Sequence, residues 1–350
     1  MFEPTIAAGF ACALMELAES KGASRKALAE RSRIEPAELQ DPDNRIPFEK
    51  YVALMRAGKE LCNDPALALH FGEAFDCTEI SIIGLVGRAS ETFAEGFSQV
   101  NRYARLAAEV ELDGDGNGDR FQLRHSAGQL WMVDTRKNPN DFPEMTESTF
   151  ARMMSTSRRY LGETQFVKAV HFTHSEPSYR AEYDRIFRVP LVFESDKNAL
   201  LTDDVWLTYR APLASRYVPE VLRTHAESLL EKLDSAKSTR GRVESLLTPI
   251  LHTGEACMDI VARKLGLSRQ TLFRKLKAEG VTFEKVLDEL RHKLALQYLS
   301  GKKTSVNETA YLVGFSDPAA FSRAFKRWTG YSPRAIASTK PEERAGNREL

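Results

Sequence analysis

Apolar positions set the first expectations. From about residue 4 to 110 they recur at helical spacing, with Phe10, Leu14, Leu17 and Ala18 on one face. Ser24 suits the N-cap of RKALAERS, and Pro47 the start of FEKYVALMRAGKEL. Pro36 and Pro42 punctuate the stretch between them, and Ser90 can cap ETFAEGFSQVNRYARLA. The period then changes. AEVEL, RFQLRH and QLWMVDT read as strands around the Gly-rich DGDGNGD. A helix is expected over residues 142–161, strands over 166–173 and 190–194, and the helix AEYDRIF between those strands. The pattern predicts an α+β domain over residues 1–234. Near its end Leu222, Ala226, Leu229, Leu233 and Ala236 recur at steps of four and three. That seam suits packing on its own domain or on a second copy. Residues 235–242 are polar and are expected to form a linker.

Beyond the linker, residues 243–340 read as an all-α domain with an internal echo. Ala262 and Gly266 return 48 positions later as Ala310 and Gly314. Each pair opens a helix, a tight turn and a second helix, DIVARKLGLSRQTLFRKLKAEG and NETAYLVGFSDPAAFSRAFKRWTG. A small residue lets two helices cross closely, and glycine takes the left-handed turn. In the first unit, about 258–280, Ile260, Val261, Leu265, Leu272 and Leu276 form the apolar side, and Ser268 suits the second helix's N-cap. Arg269, Gln270 and Thr271 then stand where a recognition helix meets base edges, with Arg274, Lys275 and Lys277 pointing outward. Arg pairs with guanine and Gln with adenine, whereas Lys275 and Lys277 suit phosphates. In the second unit, about 306–330, Phe315, Phe321 and Phe325 fill the core and Pro318 suits the first helical turn. Ala319, Ser322 and Arg323 share an outer face, with Lys326 and Arg327 beside them for phosphates. This unit is expected to read fewer bases than the first. Between the units, Phe283, Val286, Leu290, Leu294 and Leu299 mark a helix of about 18 residues, roughly 27 Å long. Arg291, His292, Lys293, Lys302 and Lys303 are expected to add positive charge near it.

Charge follows the same division. The chain of 350 residues has zero net charge, but residues 243–340 hold 16 Lys+Arg against 9 Asp+Glu, and residues 1–242 hold 31 against 37. A basic module joined to an acidic one is the electrostatic pattern of a nucleic-acid reader. Residues 341–350 form a polar tail. No apolar run reaches about 18 residues, so no membrane span is expected, and the N-terminus reads as an amphipathic helix, not a signal peptide. Cys12, Cys62, Cys77 and Cys257 are scattered without a C-x-x-C pair, which fits a reducing cytoplasm and neither a disulfide framework nor a zinc site. No cofactor or metal is expected.

Several sharper patterns fail on chemistry. Asp113, Asp115, Asn117 and Gly118 imitate a calcium loop, but the twelfth position is Arg124 where a glutamate is needed. His171 and His174 lie in a strand-like segment, where a spacing of three sends them to opposite faces. Residues 24–39 vaguely resemble a further helix-turn-helix but lack a basic reader. No G-x-S-x-G, P-loop or G-x-G-x-x-G is present, so no enzymatic centre is expected. By type and position, Tyr103, Trp131, Arg136 and His171 are the candidates to contact a small molecule.

The segment VGFSDPAAFSRAFKRWTGYSP, with the upstream A-x3-G-x-S unit and the connecting helix, resembles the AraC/XylS family of bacterial transcription regulators. The resemblance implies two helix-turn-helix subdomains on adjacent major-groove segments of double-stranded DNA. Its base-facing positions fall on Gln270, Phe273 and Arg274, and on Ala319, Ser322 and Arg323. Phe273 departs from the polar reader of many members. DPALALHFGEAF, IIGLVGRASETFAEGF, VHFTHSEP and RVPLVFESDKNALL are similar to an arabinose-binding-type sensor half, found in a subgroup with regulators of ornithine use and virulence. The label does not by itself establish a sugar. The expected protein is a cytoplasmic, sequence-specific regulator, an activator by family habit. Its expected partners are a small-molecule effector, RNA polymerase and a second copy of itself. One alternative is a ligand-independent regulator whose N-terminal domain only oligomerises. Another is an alkyl-transferring enzyme fused to the DNA module, which the scattered cysteines oppose.

Overall fold

A computed structural model describes residues 3–113, 119–161, 166–203, 205–209, 218–300 and 304–338. The chain divides after Leu230 into two units, Met1–Leu230 and Glu231–Leu350. In the first, strand β1 (Thr5–Ala7) runs into α1 (Ala8–Ser20), which buries Phe10, Leu14 and Ala18. Ser24 caps α2 (Arg25–Ser32) by accepting the Ala27 N–H. β2 (Arg45–Pro47) pairs antiparallel with β1 and leads into α3 (Phe48–Leu61). Four more helices follow: α4 (Leu67–Ala74), α5 (Cys77–Ile80), α6 (Ile82–Arg88) and α7 (Phe93–Ala107). Thr92, not Ser90, caps α7. Thr92 stands extended just before the helix and accepts the Glu95 N–H, whereas Ser90 is buried and donates to the Val86 carbonyl.

The strand expected at AEVEL forms no ladder. Ala108 and Leu112 make isolated bridges, to Ile6 and Arg136, because this backbone bonds two different neighbours in turn. Asp115, Asn117 and Gly118 of the imitated calcium loop lie outside the described residues. β3 (Phe121–Ser126) and β4 (Gln129–Asp134) form a hairpin closed by Ala127 and Gly128, both at positive φ. Next come α8 (Glu144–Leu161), β5 (Val167–His171), α9 (Arg180–Phe187), β6 (Leu191–Val192) and β7 (Asn198–Thr202). The sheet order is β3-β4-β7-β5-β6, and only β5 and β6 are parallel, with α9 as their crossover. β7 was not expected, yet it is the central strand. Alternation sorts the sheet into two faces. Phe121, Met132, Val170 and Leu200 pack with Phe150 of α8 and Tyr183 and Phe187 of α9; Trp131, Val133 and Ala199 form a separate cluster.

α10 (Val205–Thr208) and α11 (Val218–Lys237) follow. Along α11, Ala226 and Leu233 are buried, Leu222 and Leu229 half-buried, and Ala236 exposed. Residues 235–242 comprise the end of α11, the Ser238 cap and the start of α12 (Thr239–Leu247). A Cβ on Gly241 would lie 1.7 Å from the Ser235 carbonyl oxygen, so the close approach at the junction of these helices requires glycine.

The second unit continues with α13 (Met258–Lys264), α14 (Arg269–Ala278), α15 (Phe283–Ser300), α16 (Val306–Leu312), α17 (Pro318–Thr329) and α18 (Pro333–Ser338). It has two small cores. Val261, Ala262, Leu272 and Leu276 share one with Phe283, Val286 and Leu290 of α15. Ala310, Val313, Phe321 and Phe325 share the other with Ala295 and Leu299 of the same helix. The connecting helix is thus part of both cores. Among the described residues no helix is long and apolar enough to cross a membrane.

Candidate functional site

Two places carry chemistry, one in each unit. In the second unit, α13 and α14 are joined through Gly266 at φ 67°. Ser268 caps α14 by accepting the Thr271 N–H at 3.1 Å. Leu272 and Leu276 anchor the helix, which turns Arg269, Gln270, Phe273, Arg274 and Lys277 outward at steps of three and four. All five are exposed, Phe273 by 49%. Lys275 is also exposed, beside the buried stripe. Thr271 belongs to the cap: its hydroxyl lies 2.8 Å from Ser268 Oγ. Arg269 is paired with Asp259 of α13 at 2.7 Å.

The second pair, α16 and α17, turns through Gly314 at φ 80°, where a Cβ would lie 2.3 Å from the Leu251 carbonyl oxygen. Asp317 caps α17 by accepting the Ala319 and Ala320 N–H groups, each at 3.0 Å. This residue had not been singled out, although Asp directly before Pro318 is an N-terminal signal. Ala319, Arg323, Lys326 and Arg327 share the exposed face; Pro318 and Ser322 are half-buried. The Ser322 hydroxyl donates to the Pro318 carbonyl at 2.9 Å. Arg327 pairs with Asp288 of α15 at 3.0 Å. Arg291 differs from its expected role as loose positive charge. It stacks over Phe315 and donates to the Val313 and Gly314 carbonyls at 3.1 and 3.2 Å, bracing the turn, and burial pushes its pKa down. His292 packs against Trp328, with ring centroids 5.6 Å apart, while Lys293 is exposed. Lys302 and Lys303 lie outside the described residues.

The first unit holds a cavity of about 370 Å³ between the sheet, α6, α7 and α8. Ile83, Phe93, Phe97, Val100, Phe121, Met132 and Leu200 supply apolar walls. Gly87 of α6 and Gly96 of α7 also line it, and a Cβ on Gly96 would lie 2.7 Å from the Gly87 carbonyl oxygen, so these helices touch through backbone. Its charged lining is Asp76, Arg88, Arg120 and Arg152.

None of Tyr103, Trp131, Arg136 and His171 lines this cavity. Tyr103 is buried, with its hydroxyl donating to Glu227 of α11 at 3.3 Å. Trp131 neighbours the cavity residue Met132 in sequence and therefore points to the other face, where His171 meets it edge-on at 4.8 Å. His171 Nδ1 lies 2.9 Å from Ser195 Oγ, and burial pushes its pKa down. His174 instead contacts the Tyr183 hydroxyl at 3.2 Å. Arg136 donates to the Phe142 and Pro139 carbonyls and to Thr146 Oγ1, and burial lowers its pKa to about 10. It fastens the β4–α8 connection. Sequence reasoning does not reach the cavity arginines: Arg152 stands in a polar helix sequence that reads as surface, Arg88 ends the short helix IIGLVGR, and Arg120 precedes β3 next to the Gly-rich segment.

Comparison with known proteins gives two family matches. Residues 22–211 match the arabinose-binding domain of AraC transcription regulator, N-terminal, and residues 261–338 a helix-turn-helix domain. The chain is similar to an ornithine utilization regulator of Pseudomonas aeruginosa, 30% identical over 93% of this chain and 94% of that one. It is also similar to the HTH-type transcriptional activator RhaS of Escherichia coli, 36% identical over 33% of this chain and 42% of that one. Among solved structures, the transcriptional regulator CdpR from Pseudomonas aeruginosa is 22% identical, with TM-score 0.39, covering 90% of this chain and 96% of that one.

Proposed function

The chain belongs to the AraC family of DNA-binding transcription regulators, and we propose that a small molecule held in the N-terminal cavity sets how its C-terminal domain binds DNA. The observation that carries this reading is the cavity itself. It is largely apolar and has a few fixed polar groups, the usual make-up of a small-molecule site. Much of its lining falls within residues 22–211, the part similar to a ligand-binding domain.

In this reading Gln270, Phe273 and Arg274 read bases, with Arg269, Thr271, Lys275 and Lys277 positioning the first helix. Arg323 reads from the second helix beside Pro318, Ala319 and Ser322, and Lys326 and Arg327 hold phosphates. The exposed faces of α14 and α17 support this assignment. Likeness to a named activator supports activation, and with it contact to RNA polymerase. The half-buried Leu222 and Leu229 on α11 are the basis for a homodimer seam, and DNA as the binding partner supports a cytoplasmic location.

The test uses the purified full chain. Its binding site is selected from random duplexes, and affinity for that site is measured with and without each member of a metabolite panel. At least one metabolite should raise the thermal midpoint and change DNA affinity, because ligand binding to the native state is stabilising. If no metabolite does either, and filling the cavity with Val100→Trp leaves DNA affinity unchanged, the N-terminal unit is not a sensor.

A further inference from the structure

We infer that the cavity takes an organic anion with an apolar body, a monocarboxylate whose carboxylate meets Arg152. This deepens the effector reading and rests on it. The argument begins with the lining charges. Arg120 is already neutralised, since its Nε and Nη2 donate to the two carboxylate oxygens of Asp134 at 3.3 and 3.2 Å. Asp76 accepts the Thr78 N–H at 2.9 Å and has the Arg159 guanidinium 3.7 Å away. Arg88 is exposed and stacks on Tyr160, 4.2 Å from the ring centroid.

Arg152 differs from all three. Its guanidinium lies over two rings of the unit's core, 5.0 Å from the Phe71 centroid and 5.4 Å from that of Phe10. Nε donates to the Phe75 carbonyl at 3.1 Å, and Nη2 is buried without a hydrogen-bond partner. Among the described residues no carboxylate stands within 4.0 Å of it. Arg152 is half-buried as a residue and contributes to the cavity lining, while its Nη2 is itself buried. A buried cation with no carboxylate in contact is unfavourable; burial pushes the Arg152 pKa down, and the charge of Asp76 offsets this only in part. The two rings fix the guanidinium plane, and a carboxylate accepts from such a plane with good geometry. A ligand anion would supply the missing partner.

The rest of the lining selects the body of the ligand. Phenyl rings and branched aliphatic groups make up most of the walls, and of the nine hydroxyl-bearing residues in the lining five, Ser148, Thr149, Thr156, Ser157 and Tyr160, stand on the single helix α8. A sugar needs donors and acceptors around its whole ring, and these walls leave most of its hydroxyls without partners. A cationic ligand would face Arg152 directly. A free amino acid would need an acid for its ammonium group; the acid in the lining is Asp76, whose Oδ1 accepts the Thr78 N–H and whose buried Oδ2, without a hydrogen-bond partner, faces the Arg159 guanidinium at 3.7 Å.

The experiment uses the full chain and titrates octanoate, decanoate and 3-phenylpropionate against octan-1-ol, L-arabinose and L-leucine by calorimetry. At least one carboxylate should bind ten or more times more tightly than every neutral or zwitterionic probe. Arg152→Met should remove that preference while octan-1-ol still binds, which also reports that the cavity remains folded; Arg152→Lys should retain part of it. The inference is overturned if octan-1-ol, L-arabinose or L-leucine equals the best carboxylate, if no carboxylate binds, or if Arg152→Met keeps the preference. The broader effector reading then still stands if any metabolite changes DNA affinity. Conversely, Arg152-dependent carboxylate binding with unchanged DNA affinity would leave the anion site intact and remove the regulatory reading.

Discussion

Individual polar side chains on the two outer helices have different work available to them. Gln270 and Arg274 are exposed on α14, whereas Arg269 is held by Asp259 and Arg327 by Asp288. Both pairs are solvent-exposed and are worth about 0–1 kcal/mol, so a phosphate can replace either carboxylate. Arg274→Ala should therefore relax preference at one base position at a cost of roughly 1–3 kcal/mol, measured across single-base variants of the selected site. Equal weakening on every variant would make Arg274 a backbone contact. Lys326→Ala should lower the slope of log affinity against log salt by about one, the release of one counterion; an unchanged slope would take Lys326 off the DNA. The exposure of these side chains was legible in the sequence because the apolar stripes, Leu272 and Leu276 in α14 and Phe321 and Phe325 in α17, leave one outer face on each helix. Arg152 was not legible. It lies in EMTESTFARMMSTSRRYL, where it resembles Arg158 and Arg159, and only Phe10 and Phe71, brought in from α1 and α4, make it a buried cation.

Helices and strands differ in how far local sequence specifies them. Helix α17 starts where Asp317 caps it, and the turn before it is held by Arg291 from α15. Two backbone N–H groups hold the Asp317 carboxyl below the usual aspartate range. Its folded pKa is depressed, so the stabilisation is fully present above that ordinary range and is lost as pH falls through the lower folded value. Amide exchange at Ala319 and Ala320 should accelerate over that acidic window, and Asp317→Ala should show the faster exchange already at neutral pH. Equal protection in both proteins would mean that core packing alone holds the helix start. Arg291→Met should likewise lower the unfolding midpoint of the full chain and weaken DNA binding, because the Val313 and Gly314 carbonyls lose a charged donor. Caps, glycine turns and apolar spacing are local signals, which is why α13 to α17 could be read in advance. β7 is five residues long, and its place comes from pairing with β4 on one side and β5 on the other. Such pairing is non-local, and NALLT carries no alternation to announce it.

For the whole molecule, the decisive quantity is the coupling between cavity and DNA, and it must be reciprocal. If a bound carboxylate changes DNA affinity by some factor, saturating DNA must change carboxylate affinity by the same factor. Allosteric couplings of about 1–3 kcal/mol correspond to roughly 5–150-fold, which separate titrations resolve. Carboxylate affinity should therefore be measured on the free chain and on the chain saturated with its selected duplex, and the ratio set against the change in DNA affinity with saturating carboxylate. Matching factors above unity would mean that one conformational equilibrium serves both sites. A factor of one in both directions, with tight binding at each, would mean that the ligand favours neither DNA-binding arrangement, since only differential affinity can shift such an equilibrium. Arg274→Ala provides the internal control. It should reduce DNA affinity at the selected site while leaving carboxylate affinity of the free chain unchanged, because α14 and the cavity belong to different units. A carboxylate affinity that moved with Arg274→Ala in the absence of DNA would place part of the ligand site outside the N-terminal unit.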